Sequence, residues 1–345
     1  MRFQEYNISG LGPPYKIPIE GMPGFFVRIS DINLECVVFI GFEDDSPGKG
    51  GIQSIGTGFL VEYDGYGYLV TAKHIARALE DAPFIIRVNK TDGTSINYPV
   101  DEVEWYYHAD DNIDVAVIPF QITNPGHKRI YEVSYFGEAM LLGDEDIKQG
   151  FIGIGDQCYT IGLFRFMAGS NRNLPVVHTG NIALISGKEK VPVNDWDDPN
   201  NEKIRHIEAY LIESQSLQGL SGSPVLVHYT VTIPITIPKE STLPEGEKVR
   251  VRLHSVYVGL LGLWHGAWKA PPTELLGMGI VVPTQKIIEV LKMPTLVKKR
   301  QTEKRPWVVP ATQDIAPIAD NPQHKEDFNS LVSAAAKKKP QADGT

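Results

Sequence analysis

The sequence predicts an all-β fold. Three observations carry that prediction: short runs rich in Val, Ile, Phe and Tyr recur at close spacing, Gly, Asp, Asn and Pro separate them, and helical periodicity is scarce in between. In the first half of the chain the runs are Cys36 to Gly41, Thr57 to Tyr63, Tyr66 to Thr71, Phe84 to Asn89 and Val115 to Phe120. The same texture resumes at Gln157 to Gly162, His178 to Ser186, Ile207 to Glu213, Ser223 to Pro234, Lys248 to Leu263 and Met278 to Val282. Many short strands joined by turns favour a barrel or sandwich over strands alternating with helices.

The glycine-rich patch Gly48 to Gly58 lacks the Lys-Ser/Thr ending and following helix of a phosphate loop, so it reads as a turn. A short helix is expected after His74, where Ile75, Ala76 and Leu79 form a compact run, and another at Pro283 to Leu291, with Ile287, Ile288 and Leu291 at helical spacing. Ile235 to Glu247, holding Pro238, Pro244 and Gly246, reads as a loop between two strands. Beyond Lys292 the composition turns basic and proline-rich, which predicts a flexible tail with one short helix near Asp327 to Ala336.

Bulk properties exclude several functions. The net charge of −9 argues against a nucleic-acid partner, because such affinity is built from clustered Lys and Arg. No apolar run approaches the roughly 20 residues that span a bilayer, and the N-terminus lacks the basic-then-apolar order of a secretory signal, so no membrane partner is expected. Only Cys36 and Cys158 are present, which rules out a disulfide scaffold and points to a reducing, cytoplasmic setting. The histidines and cysteines show no metal-ligand spacing, and no cofactor or metal is expected.

Cleaving an amide or ester with an alcohol nucleophile requires a base within reach of the hydroxyl, a carboxylate to orient the base, and donors for the oxyanion. Three separated segments hold those residue types. Gly219-Leu220-Ser221-Gly222-Ser223-Pro224 places a serine between glycines ahead of a strand, Thr71-Ala72-Lys73-His74 ends an apolar strand on a histidine, and Asp114-Val115-Ala116-Val117 opens another strand on a carboxylate. Each segment alone is an ordinary turn or strand end; the set of three is what points to hydrolysis. Asp110 and Asp111 rival Asp114, which is preferred because the strand behind it aims it. At the serine, two N–H groups must point at one spot through a turn that a Cβ would hinder, which makes Gly219 and Ser221 the expected oxyanion donors.

In these segments the chain resembles the chymotrypsin-like, or trypsin-like, serine peptidase superfamily, and most closely its bacterial HtrA-type branch. Thr71 to His74 is similar to the family's Thr-Ala-x-His, Asp114 to Val117 to its Asp-Ile-Ala-Leu, and Gly219 to Pro224 to its Gly-Asn-Ser-Gly-Gly-Pro, in the family's His, Asp, Ser order. Gly56-Thr57-Gly58-Phe59, Gly155-Asp156 and Thr179-Gly180-Asn181-Ile182 resemble supporting strands of that family. An α/β-hydrolase would instead present Ser, then Asp or Glu, then His, on a Gly-x-Ser-x-Gly elbow. The chain departs from the family at Ser223, a glycine there, at Leu220, a small polar residue, and at Phe164, often a proline.

The resemblance implies two antiparallel six-stranded β-barrels with few short helices: an N-terminal arm over 1–30, a first barrel over 31–150 carrying His74 and Asp114, a second over 151–292 carrying Ser221, and a tail over 293–345. It implies that Ser221 is the nucleophile, His74 the general base and then acid, and Asp114 the group that fixes the imidazole tautomer. It places the substrate pocket near Gln215, Gly262, Leu263 and Trp264; with no carboxylate at the floor, an uncharged residue at the cleavage site is expected. Trp264, His265 and Trp268 read as an aromatic cluster packed over the barrel rim. The implied activity is endopeptidase cleavage of a protein or peptide, held in check by a regulatory partner, without the PDZ module of the branch. The alternative is a protease-shaped binding or scaffold module with a silent triad.

Overall fold

A computed structural model describes residues 3–6, 15–18 and 28–303, apart from 45–50, 81, 102, 125–128, 168, 170, 188, 196–202, 215–218, 238–248 and 271–273. By its contacts the chain separates into Met1–Ser30 and Asp31–Thr345. In the first unit, β1 (Phe3–Tyr6) pairs antiparallel with β2 (Tyr15–Pro18).

The second unit starts with a short helix, α1 (Asp31–Leu34), and then builds a seven-stranded sheet. Its strands are β3 (Val37–Asp44), β4 (Gly51–Tyr63), β5 (Tyr66–Thr71), β6 (Phe84–Asn89), β7 (Ser95–Val100), β8 (Tyr106–Tyr107) and β9 (Ala116–Pro119). They lie side by side in the order β7-β6-β3-β4-β5-β9-β8. Helix α2 (Lys73–Arg77) follows β5, and α3 (Asp144–Lys148) precedes the second half.

There β10 (Gln157–Gly162), β11 (Val176–Ile185), β14 (Tyr210–Glu213), β15 (Pro224–Ile237), β16 (Val249–Ala270) and β17 (Glu274–Pro283) close into a barrel ordered β10-β11-β14-β17-β16-β15. A side hairpin of β12 (Val191–Asn194) and β13 (Ile204–Ile207) flanks it. Two helices end the described chain, α4 (Thr284–Leu291) and α5 (Pro294–Thr302).

The fold is therefore mostly β, with one closed six-stranded barrel. The expected first barrel is, among the described residues, an open order of seven strands. Burial follows the apolar runs. Phe39, Phe59, Leu60, Leu69, Val70, Ile86 and Val117 are buried in the N-terminal half, and Cys158, Ile182, Ile212, Val225, Val227, Leu261, Trp264 and Val281 fill the barrel. At roughly 1.5–3 kcal/mol for each fully buried large apolar side chain, these two clusters supply the main stabilisation.

Two expectations are corrected. The stretch Gly51 to Gly58, expected as a turn, is the first half of β4; a Cβ at Gly58 would meet the Ile40 and Leu69 side chains at 2.7 Å, so this glycine serves close packing. Residues 48–50 lie outside the described residues. The start of the expected tail, 294–302, is a docked helix. Leu296 is buried, and Arg300 donates to Asp64, to the Tyr68 hydroxyl and to the Leu291 carbonyl at 2.7–3.0 Å. The expected helix near Asp327 to Ala336 lies outside the described residues, as does all of the loop 235–247 after Ile237.

Candidate active site

The pairing of β5 with β9 sets two of the candidate residues side by side. Thr71 is the register partner of Ala116, so the chain three residues past Thr71 meets the chain two residues before Ala116. His74 Nδ1 lies 2.8 Å from Asp114 Oδ2, and the His74 backbone N–H donates to Asp114 Oδ1 at 2.9 Å. The carboxylate thus fixes both the ring and the turn that carries it.

Asp114 is buried, while the rival aspartates turn elsewhere. Asp111 accepts from the buried Lys73 ammonium at 2.7 Å, and Asp110 accepts from the N–H and side chain of Asn112. Burial alone would raise the Asp114 carboxyl; the charges of His74 and His265 and their hydrogen bonds outweigh it and hold the group well below the usual carboxylate range.

The serine loop comes from the barrel and is tied to β4. The Thr57 N–H donates to the Ser221 carbonyl at 3.0 Å, and Thr57 Oγ1 donates to the Gly219 carbonyl while accepting from the Leu163 N–H, both at 2.9 Å. Thr71 Oγ1 in turn donates to the Thr57 carbonyl at 2.8 Å. Gly219 and Gly222 have φ of 102° and 84°, a left-handed backbone that an L side chain resists. At Gly222 there is also no room: a Cβ would stand 2.1 Å from the Thr57 carbonyl and 2.4 Å from Thr71 Oγ1. That contact brings the serine loop against Thr71 and Ala72, just before His74. Among the described residues, neither the Gly219 nor the Ser221 N–H has a backbone acceptor.

Ser223, the departure from glycine, is buried with its hydroxyl unpartnered among the described residues. It fits because Gly162 lacks a side chain; a Cβ there would lie 1.8 Å from Ser223 Oγ.

The residue missed by sequence reasoning is His265. Its Nδ1 lies 2.5 Å from Asp114 Oδ2, the oxygen that also holds His74, and the two rings stand edge to face with centroids 5.8 Å apart. Its carbonyl oxygen is 3.5 Å from Ser221 Oγ, the outer limit of a hydrogen bond. The expectation that His265 packs in an aromatic cluster is corrected: Trp264 points into the barrel core against Gly279, and His265 points the opposite way. No spacing rule flags it, because its partner lies 151 positions away.

The expected pocket residues divide. Gly262, Leu263 and Trp264 are buried on β16, with Trp264 in the barrel core, and Gln215 lies outside the described residues.

His74, Asp114 and His265 present three ligand-type atoms within 4.8 Å of one another, a grouping that spacing along the chain did not reveal. Both Nδ1 atoms are engaged in hydrogen bonds to one carboxylate oxygen, which is the geometry of a proton-sharing cluster rather than of ligands converging on a cation. Both cysteines are buried and form no disulfide; burial pushes the Cys158 thiol up to about 12. Among the described residues, no helix is long and apolar enough to cross a membrane.

What the fold and site define is a class: a mostly β protein in which a closed barrel sets a serine loop beside a histidine hydrogen-bonded to a buried aspartate. No family model and no curated protein matches the chain. Among solved structures it is similar to the Rv3671c protease in an inactive form, with 13% identity, 75% of this chain and 88% of that chain covered, and a TM-score of 0.36. A serine-to-alanine mutant of Rv3671c from M. tuberculosis H37Rv gives 15% identity, 82% and 91% coverage and a TM-score of 0.36. The active form of that M. tuberculosis protease gives 14%, 80% and 84%, and 0.35. At these values the likeness adds nothing to what the strands and side chains themselves display.

Proposed function

We propose that the protein is a serine endopeptidase of the trypsin-like type, cleaving peptide bonds through an acyl-enzyme on Ser221. The observation that carries this reading is the hydrogen-bonded His74–Asp114 pair with its buried carboxylate, set against a serine loop held by two left-handed glycines. In this reading His74 takes the Ser221 proton and returns it to the leaving amine. Asp114 holds the imidazole with Nδ1 protonated, which leaves Nε2 as the base, and stabilises the cation that forms. The N–H groups of Gly219 and Ser221 receive the oxyanion.

The substrate is a protein or peptide with an uncharged residue at the cleavage site, bound near Gln215 and β16, and a regulatory partner restrains the activity. The first barrel, closed in the family that the motifs resemble, is here the sheet of β3 to β9. Two buried, unpaired thiols suit a reducing cytoplasm.

The test is turnover of an unstructured, fluorophore-quenched polypeptide by the wild type, Ser221→Ala and His74→Ala, each alone and with cell lysate as a source of activator. Cleavage by the wild type and its loss in both variants supports the reading. No cleavage by the wild type under either condition refutes it and leaves the protease-shaped binding module.

A further inference from the structure

We propose that His265 is a positioning residue of the site, acting on His74 through Asp114. The inference rests on the reading of His74 and Asp114 as base and orienting acid.

Its physical basis is a β-bulge. Along β16 and β17, Leu263 pairs with Val282 and Trp264 with Val281, but Gly266 pairs with Ile280, so His265 is the extra residue between two regular pairs. A bulge re-aims the side chain of the inserted residue. Trp264, one position earlier, is 1% exposed inside the barrel, and His265 is turned to the opposite face, where its ring meets Asp114.

The same stretch of β16 also holds the serine loop. The Gly222 N–H donates to the Trp264 carbonyl at 2.9 Å, the Trp264 N–H donates to the Ser223 carbonyl at 2.8 Å, and the His265 carbonyl faces Ser221 Oγ. One strand position therefore touches the acid by its side chain and the nucleophile by its backbone.

Asp114 Oδ2 receives two imidazole N–H groups, His74 and His265, while Oδ1 receives the His74 backbone N–H. With each oxygen engaged, the carboxylate is locked in the plane that presents Oδ2 to His74. The second imidazole also draws on the negative charge that stabilises the His74 cation, so in its absence that carboxylate oxygen serves His74 alone among these two rings.

The other charged groups on the neighbouring elements are engaged elsewhere or face outward. Lys73 on α2 is paired with Asp111, Arg77 lies on the same helix, Arg205 on β13 donates to the Asp111 carbonyl, and Asp110 is held within its own loop. The charges that weigh most on the ionisation of Asp114 are those of His74 and His265.

Two measurements test the proposal together: a side-chain 15N NMR titration of the histidines, and the second-order rate of fluorophosphonate modification against pH, for the wild type, His265→Phe and His265→Asn. Phenylalanine keeps a ring and removes the donor; asparagine restores an N–H at similar reach.

His265→Phe is expected to raise the His74 midpoint and to slow modification at neutral pH by roughly tenfold to a hundredfold. His265→Asn is expected to recover most of the rate. Folded His265→Phe that modifies at the wild-type rate with an unchanged His74 midpoint overturns the proposal. A wild type that is never modified sinks the hydrolase reading, yet the titration still decides this inference: mutual displacement of the two histidine midpoints supports it, independent titration overturns it. If His265→Phe fails to fold, the wild-type titration decides between the same two outcomes.

Discussion

Replacing Thr57 by valine should loosen the serine loop from the N-terminal sheet, leaving only the backbone bond from the residue 57 N–H to the Ser221 carbonyl. Thr57 is fully buried, and its hydroxyl serves two partners, donating to the Gly219 carbonyl and accepting from the N–H of Leu163. Valine has the same shape but leaves both partners buried without a bond, and each orphaned group costs about 1–3 kcal/mol. Partial relaxation brings the sum to about 3 kcal/mol, a fall in Tm of about 4–5 °C for a chain of this size.

The loss falls on the carbonyl of Gly219, the residue that carries one oxyanion donor, so fluorophosphonate modification should slow at temperatures where the variant is fully folded. Thr57→Ser keeps the hydroxyl and loses one methyl, worth about 0.8 kcal/mol, and should modify at close to the wild-type rate. Differential scanning calorimetry gives the first quantity and stopped-time labelling the second. A Thr57→Val protein with wild-type Tm and wild-type labelling would refute the claim that this hydroxyl bridges the two halves.

Asp114→Asn should cut turnover by about 10⁴-fold, because an amide cannot hold the His74 tautomer that presents Nε2 as base; steady-state kinetics checks it. The same carboxylate ties stability to pH. Its folded-state pKa is depressed, so its stabilisation is complete above the unfolded value of about 3.9 and is lost as pH falls below that value towards the folded one. Chemical denaturation of the wild type should therefore weaken below about pH 4, and more steeply than in Asp114→Asn. Ser223→Ala removes a buried hydroxyl that is unpartnered among the described residues and should raise stability by about 1 kcal/mol, read from the denaturation midpoint. Cys158 should resist iodoacetamide at pH 8 in the native protein and react once unfolded, because burial holds its thiol at about 12, leaving almost no thiolate.

Much of the fold was legible because its strands keep their local signals. Tyr66–Thr71, Phe84–Asn89 and Gln157–Gly162 form strands with the bounds their apolar runs predict. β7 falls outside the apolar runs because Ser95, Asn97 and Pro99 dilute its apolar content; it is the edge strand of its sheet, where a proline breaks no ladder. The docked helix α5 was missed because two buried residues, Leu296 and Arg300, anchor it rather than an apolar stripe.

At the site, His74 and Asp114 were found through strand ends, since pairing between neighbouring strands converts position along a strand into position in space. His265 escaped that logic. A bulge depends on the pairing of two strands and leaves no mark in the local composition, and the acid it serves lies on a different sheet. Arg87 was missed likewise: it is buried by bonds to Asn173 and the carbonyls of Gly169 and Arg172, partners more than eighty positions away.

The central claim, an activated serine at position 221, is tested most directly by mapping a fluorophosphonate adduct by mass spectrometry. The predicted result is one adduct per chain, on the peptide containing Ser221, absent from both Ser221→Ala and His74→Ala. No adduct on the folded wild type, or an adduct that survives in Ser221→Ala, would contradict it.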